Sequence, residues 1–168
     1  MIAAMACRGV LFALTDSQDA ALVATRDDDE VLDFVEGVEA DWDHDWLCEV
    51  DKAWDAMHRC LGDGTLRLGR HGGGPLELAV LGGGHHHEGE DYIVAHVLAD
   101  QVPAVAEALE PVTEAWLQER YGAIDPDDYQ GVLDDEDFQY TWQYLQEVRD
   151  FYKRAAAAGR SVIFTVDQ

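Results

Sequence analysis

Short apolar runs punctuate the chain, and longer stretches between them repeat apolar residues every three or four positions. Runs of the first kind mark buried strands, and the second spacing marks helices with one face on a core. "RGVLFAL" (8–14) predicts a first strand, "DYIVAHVL" (91–98) a second and "SVIFTV" (161–166) a third. "TDSQDAALVAT" predicts a short helix capped by Asp16 or Ser17. In "DDEVLDFVEGVEADW", Val31, Leu32, Phe34, Val35 and Val38 are spaced for another helix. "EVDKAWDAMHRCLG" predicts a third, with Val50, Trp54, Met57, His58 and Leu61 on its inner face and Gly62 beyond its end. Pro75 opens a short helix in "GPLELAVLGG".

The next helix spans 100–121, with Val102, Val105, Leu109, Val112, Trp116 and Tyr121 in one stripe. Pro103 suits its first turn, but Pro111 in its interior should kink it. A long helix over 135–158 carries Phe138, Trp142, Leu145, Val148 and Tyr152 inward. Strands at both ends and in the middle, with helices between, give an α+β fold. A single domain over 1–168 is expected, its small sheet packed against a layer of helices. Trp54, Leu109, Trp116, Leu145 and Val148 should be core, and 69–90 should be loop.

Charge changes the picture more than size does. Thirty-five acidic residues against eleven basic ones leave a net charge of −24. Binding to nucleic acid or to an anionic membrane surface needs Lys and Arg opposite phosphate, so both partners are excluded. A cationic partner is favoured. Cys7, Cys48 and Cys60 have no paired spacing, which fits a reducing cytoplasm. The opening "MIAAMACRGVLFAL" lacks the basic start of a signal peptide, and Met5 would serve equally as a first residue.

"LGGGHHHEGEDY" (81–92) is the richest stretch in potential chemistry. If it is extended, His85 and His87 face one way and His86 the other. A third donor would have to come from Glu88, Glu90, His71 or His96, and no spacing enforces one. The expectation is a connecting loop with no metal, no cofactor and no catalytic residue. The alternative is a metal-assisted hydrolase using His85 and His87. Asp41, Asp43 and Asp45 imitate the start of an EF-hand loop, but Trp46 stands where glycine is needed and Lys52 where glutamate is needed. In "DPDDYQGVLDDE" (125–136), Tyr129 and Gln130 spoil the same pattern. The glycine clusters match neither common phosphate-binding signature. Cys60 and His58 lie two apart on one predicted helix and diverge, while His58 follows Trp54 by four and packs on it.

"KAWDAMHRCLGDG", "GPLELAVLGGG", "LADQVPAVAEALEPV" and "FYKRAAAAGRSVIFTV" together resemble the YfbM-like family of small bacterial proteins of unknown function. The resemblance runs from Arg8 through nearly the whole chain and implies a compact α+β domain. It implies no chemistry, and the 85–90 loop falls where the family varies in length.

Two acidic blocks stand apart from that pattern. Asp27 to Asp51 holds twelve Asp or Glu and no Lys or Arg, and Tyr121 to Glu147 holds eight on the same terms. Aromatic side chains embedded in acidic surface suit a cationic protein partner, such as a toxin held by its immunity protein or antitoxin. The expected partner-binding residues are Asp41, Trp42, Asp43, Asp45, Trp46, Asp127, Asp128, Tyr129, Asp134 and Asp135.

Overall fold

All three expected strands lie in one sheet, the last of them between the other two, and two more join at the edges. The computed structural model describes residues 7–69 and 74–167. In chain order the elements are β1 (Gly9–Leu14), α1 (Asp16–Val23), α2 (Asp28–Asp41), β2 (Leu47–Asp51), α3 (Trp54–Leu61) and a 3-10 helix (Pro75–Ala79). There follow β3 (Gly84–His85), β4 (Tyr92–Val97), α4 (Val102–Leu109), α5 (Glu114–Tyr121), α6 (Asp135–Ala157) and β5 (Ser161–Asp167). The sheet runs in the order β2-β1-β5-β4-β3, antiparallel throughout. Met5 and His71 lie outside the described residues.

Successive strand residues face opposite sides, and here both sides are covered. Leu11, Ala13, Val162, Phe164, Ala95 and Val97 join Trp54, Met57, Leu109, Leu145, Val148 and Tyr152 in one core. Phe12, Leu14 and Ile163 pack with Leu22, Val38 and Leu47 on the other side, where Val94 meets Val31 and Val35. Helices α1 and α2 thus form a second layer beyond the single one expected. That layer explains why the central strands are mainly apolar on both faces, because a sheet wetted on one face would alternate apolar with polar residues.

Three expectations need correction. The helix expected over 49–61 begins only at Trp54, and its first residues belong to edge strand β2. Leu47 faces one core while Cys48 and Val50 face the other. Five residues are too few for that alternation to stand out against the helical spacing that follows. Second, Pro111 breaks its helix rather than kinking it. Proline lacks the N–H needed and clashes with the carbonyl four residues back. A new helix, α5, starts with Thr113 accepting from the Trp116 N–H. Third, this restart shifts the helical phase, so Leu117 is buried and Trp116 only half-buried, its ring covered by the Arg120 guanidinium. The other four expected core residues are buried.

Two glycines of the Gly82–Gly84 run sit against backbone. A Cβ on Gly82 would lie 2.1 Å from the Glu77 carbonyl oxygen, and one on Gly83 would lie 2.6 Å from that of His96. Gly84 has no such contact, its nearest neighbour being 3.9 Å away. The glycines therefore serve close packing of the 3-10 helix and β4, with no phosphate needed to explain them.

Candidate functional site

Helix α2 starts with acids where acids belong. Asp27 caps it by accepting from the Glu30 N–H, and Asp28, Asp29 and Glu30 fill the first turn, at the positive end of the helix dipole. Its other end reverses that logic. No basic residue occupies the last turn, and Asp41, Asp43 and Asp45 are exposed around the negative end. Trp42 closes the helix at φ 38, in the left-handed region where glycine or asparagine is usual. A tight turn follows: the Asp45 N–H donates to the Asp43 carboxylate (3.1 Å) and the Trp46 N–H to the Asp43 carbonyl (2.9 Å).

Trp42 and Trp46 are half-buried, and with Phe12, Asp41, Asp43 and Arg160 they line an open pocket of about 490 Å3. The Arg160 guanidinium lies 3.6 Å from the centre of the Trp46 ring, and Trp42 meets Phe12 edge-on at 5.9 Å. Four of the expected residues, Asp41, Trp42, Asp43 and Trp46, thus converge on one concavity, with Asp45 on the same turn. The pocket already stacks one guanidinium on its indole wall, which is the chemistry a cationic partner side chain would use.

The second acidic block is built differently. Asp134 caps α6 by accepting from the Asp137 N–H, and Asp135 occupies its first turn. Asp128 receives the buried Arg59 guanidinium at 2.6 Å. Tyr129 donates to Asp137 at 2.9 Å, and Asp137 also receives Tyr121 at 2.6 Å. Asp127 is exposed, its N–H bonded to the Asp125 carboxylate. Most of these acids hold the fold together. They also sit at the Asp51 end of β2, where Tyr140 donates to Asp51 at 2.6 Å, whereas the Trp42 pocket lies at the Leu47 end. Five residues of strand separate the two ends by about 13 Å.

The histidines are placed apart. His85 contacts the Leu81 carbonyl oxygen, His87 that of Gly89, and His86 meets His96 across the strands. His85 and His87, the pair of the alternative hydrolase reading, thus have separate partners. Among the described residues, no group of three or more His, Cys, Asp or Glu side chains is placed to hold a metal ion. Burial and the adjoining His96 hold His86 below the usual imidazole range. Cys48 and Cys60 are buried, and burial pushes both thiols up to about 12, so neither is a nucleophile at neutral pH.

His58 is fully buried, with both ring nitrogens engaged. Nδ1 accepts from the Leu81 N–H (3.4 Å), which leaves Nε2 protonated and donating to the Arg67 carbonyl (3.0 Å). Burial lowers its pKa below the ordinary value. Between those two values the unfolded chain binds the proton and the fold does not, so stability is lost as pH falls below about 6.5. Relative to a His58→Gln variant, the wild type should lose up to about 1.4 kcal/mol per pH unit below that point. Urea unfolding of both proteins at pH 7.5, 6.5 and 5.5 checks this, and a constant difference between them would rule the linkage out.

Sequence reasoning overlooked Arg59. Its Asp55 partner, four residues earlier, was visible as a helical pair, but Asp128 is 69 residues away. It also missed the pairing of Asp19 with His96 at 2.8 Å, which joins α1 to β4 and has no local signature.

Residues 5–165 match the family described as Domain of unknown function (DUF1877). The chain belongs to that family. Its fold is shared by a solved structure titled as a protein of unknown function, YfbM from Escherichia coli. The TM-score is 0.70 at 17% identity, covering 95% of this chain and 99% of the other. The YfbM-like resemblance and the α+β fold it implied thus hold across the domain. No curated protein matches. No helix among the described residues is long and apolar enough to cross a membrane.

Proposed function

We propose that this family member is a non-enzymatic, cytoplasmic binding module that neutralises a cationic protein, as an immunity protein or antitoxin does for its toxin. The observation that carries the reading is the turn after α2. Asp41, Asp43 and Asp45 gather at the negative end of a helix that supplies no cation of its own, beside Trp42 and Trp46. Acids placed there oppose the helix dipole and cost stability, and Trp42 adds a left-handed backbone. Such local cost is expected where a surface is shaped for a partner. The Trp rings supply contact area, and the net charge of −24 supplies long-range steering.

The test starts from a tagged chain used to recover basic proteins from its native cell, followed by binding kinetics with the recovered protein. Steering weakens as the Debye length shrinks from about 30 Å at 0.01 M salt to about 8 Å at 0.15 M. Association should therefore slow by about tenfold or more between those conditions. Converting Asp41, Asp43 and Asp45 to Lys should slow association further, with a smaller change in dissociation. The same changes at Asp128, Asp134 and Asp135 should disturb folding more than binding. Salt-indifferent binding, or no basic protein recovered, would refute the reading.

A further inference from the structure

His96 and His86 face each other between β4 and the end of β3. His96 Nδ1 lies 3.1 Å from His86 Nε2, with ring centres 5.1 Å apart and planes tilted by 57°. The other nitrogen of His96, Nε2, lies 2.8 Å from the Asp19 carboxylate. A carboxylate only accepts, so Nε2 carries the proton and Nδ1 of the neutral ring presents a bare lone pair to His86. The His96 side chain is 2% exposed, so its orientation is fixed by packing as well as by Asp19. His86 is half-buried and, with His96 and His85, lines an open cavity of about 430 Å3.

The geometry points to a binding site for a zinc-class divalent cation between His96 Nδ1 and His86 Nε2. Two imidazole ligands at about 2.0–2.1 Å from a tetrahedral ion have nitrogens about 3.3 Å apart, close to the spacing found here. When His86 carries its proton on Nδ1 instead, two lone pairs converge on one point, and a cation there satisfies both. Asp19 then does for His96 what a carboxylate does behind most metal-bound histidines: it fixes the tautomer and raises the ligand's basicity. The pair supplies two donors. Water in the cavity would complete the coordination, and His85 stands on the same rim. The site is not the His85–His87 pair of the alternative hydrolase reading, and it lies apart from the Trp42 pocket, so it stands or falls independently of the partner reading.

Zinc titration of tag-free protein by calorimetry tests this. One saturable zinc per chain is expected. His86→Ala and His96→Ala should each weaken binding at least tenfold, and Asp19→Asn by about 10- to 100-fold. His44→Ala, exposed on the acidic turn, should leave it unchanged. Because His96 is buried and its replacement endangers the fold, histidine ring-nitrogen NMR on the wild type provides a second readout. Zinc should shift Nδ1 of His96 and Nε2 of His86 as the ligated atoms. No saturable binding, binding that survives His86→Ala, or ring shifts confined to other histidines would overturn the assignment.

Discussion

Alanine at Gly82 or Gly83 is expected to destabilise the chain by about 3 kcal/mol, while alanine at Gly84 should cost less than about 0.5 kcal/mol. The contrast is sharp because the three residues are consecutive and differ only in what faces them. At Gly82 the added carbon meets the Glu77 carbonyl, with oxygen at 2.1 Å and carbon at 2.6 Å. That carbonyl cannot retreat. Glu77, Leu78 and Ala79 are buried, and the Tyr152 hydroxyl donates to the Ala79 carbonyl at 2.8 Å. At Gly83 the carbon meets the backbone of His96 in β4, which β5 holds by pairing from Tyr92 to Val97. Both contacts are with backbone in the sheet or beside it, so relief requires moving an element. For a chain of this size, the midpoint of thermal unfolding should fall by roughly 6–12 °C at Gly82 and Gly83. Circular dichroism melts of the three variants are the measurement. Equal melting of Gly83→Ala and Gly84→Ala would show that the close approach is wrong.

Arg59→Met is expected to cost about 3 kcal/mol at pH 7, and to recover much of that loss in acid. The Arg59 side chain is 2% exposed and donates to Asp55 and to Asp128, at 2.6 Å each. Burial already pushes the Asp55 carboxyl above its usual range, Asp128 and Asp137 push it the same way, and only Arg59 pulls it down. Without the guanidinium the folded-state pKa rises further above the unfolded value near 3.9. The fold then binds a proton that the unfolded chain releases, so the deficit is largest well above the folded pKa and shrinks as pH falls through it. Urea unfolding at pH 7 and pH 5 should show the gap between variant and wild type narrowing. Asp55→Asn in the Arg59→Met background should restore most of the loss at pH 7. If the double variant is no more stable than the single one, the cost is lost packing around the Arg59 stem rather than an orphaned charge.

Strands of six or seven residues were legible from sequence because their runs are mainly apolar: β1, β4 and β5 lie within one residue of their expected limits. Edge strands were not legible. β2 is five residues long and runs straight into a helix, and β3 has two residues, fewer than any periodicity needs. The site followed the same rule. Asp41, Trp42, Asp43 and Trp46 are close in sequence, so their convergence at one turn could be read from the chain. Asp128 joins Arg59 across 69 residues and Asp19 joins His96 across 77. Pairings of that kind depend on the tertiary route of the chain, and local spacing carries no trace of them. Asp134 and Asp135 were read as partner-binding surface, although the helix expected to begin at 135 places them at its cap and in its first turn, where acids serve the helix itself.

The position of β5 affects how the protein must be made. It lies between β1 and β4, yet every other strand precedes it in the chain. During translation β1 and β2 can form a hairpin-like pair, and β4 can pair only with the two-residue β3. The two halves of the sheet have nothing between them until residues 161–167 clear the ribosome. Until then α4 and α6 have no complete sheet to pack on, and their apolar faces stay open to water or to other nascent chains. Closing the sheet joins Gly9 to Val166 across almost the full described length, a long-range pairing of the kind that slows folding. A ribosome stalled before Ser161 would hold a chain with every helix synthesised but the central strand of its sheet missing.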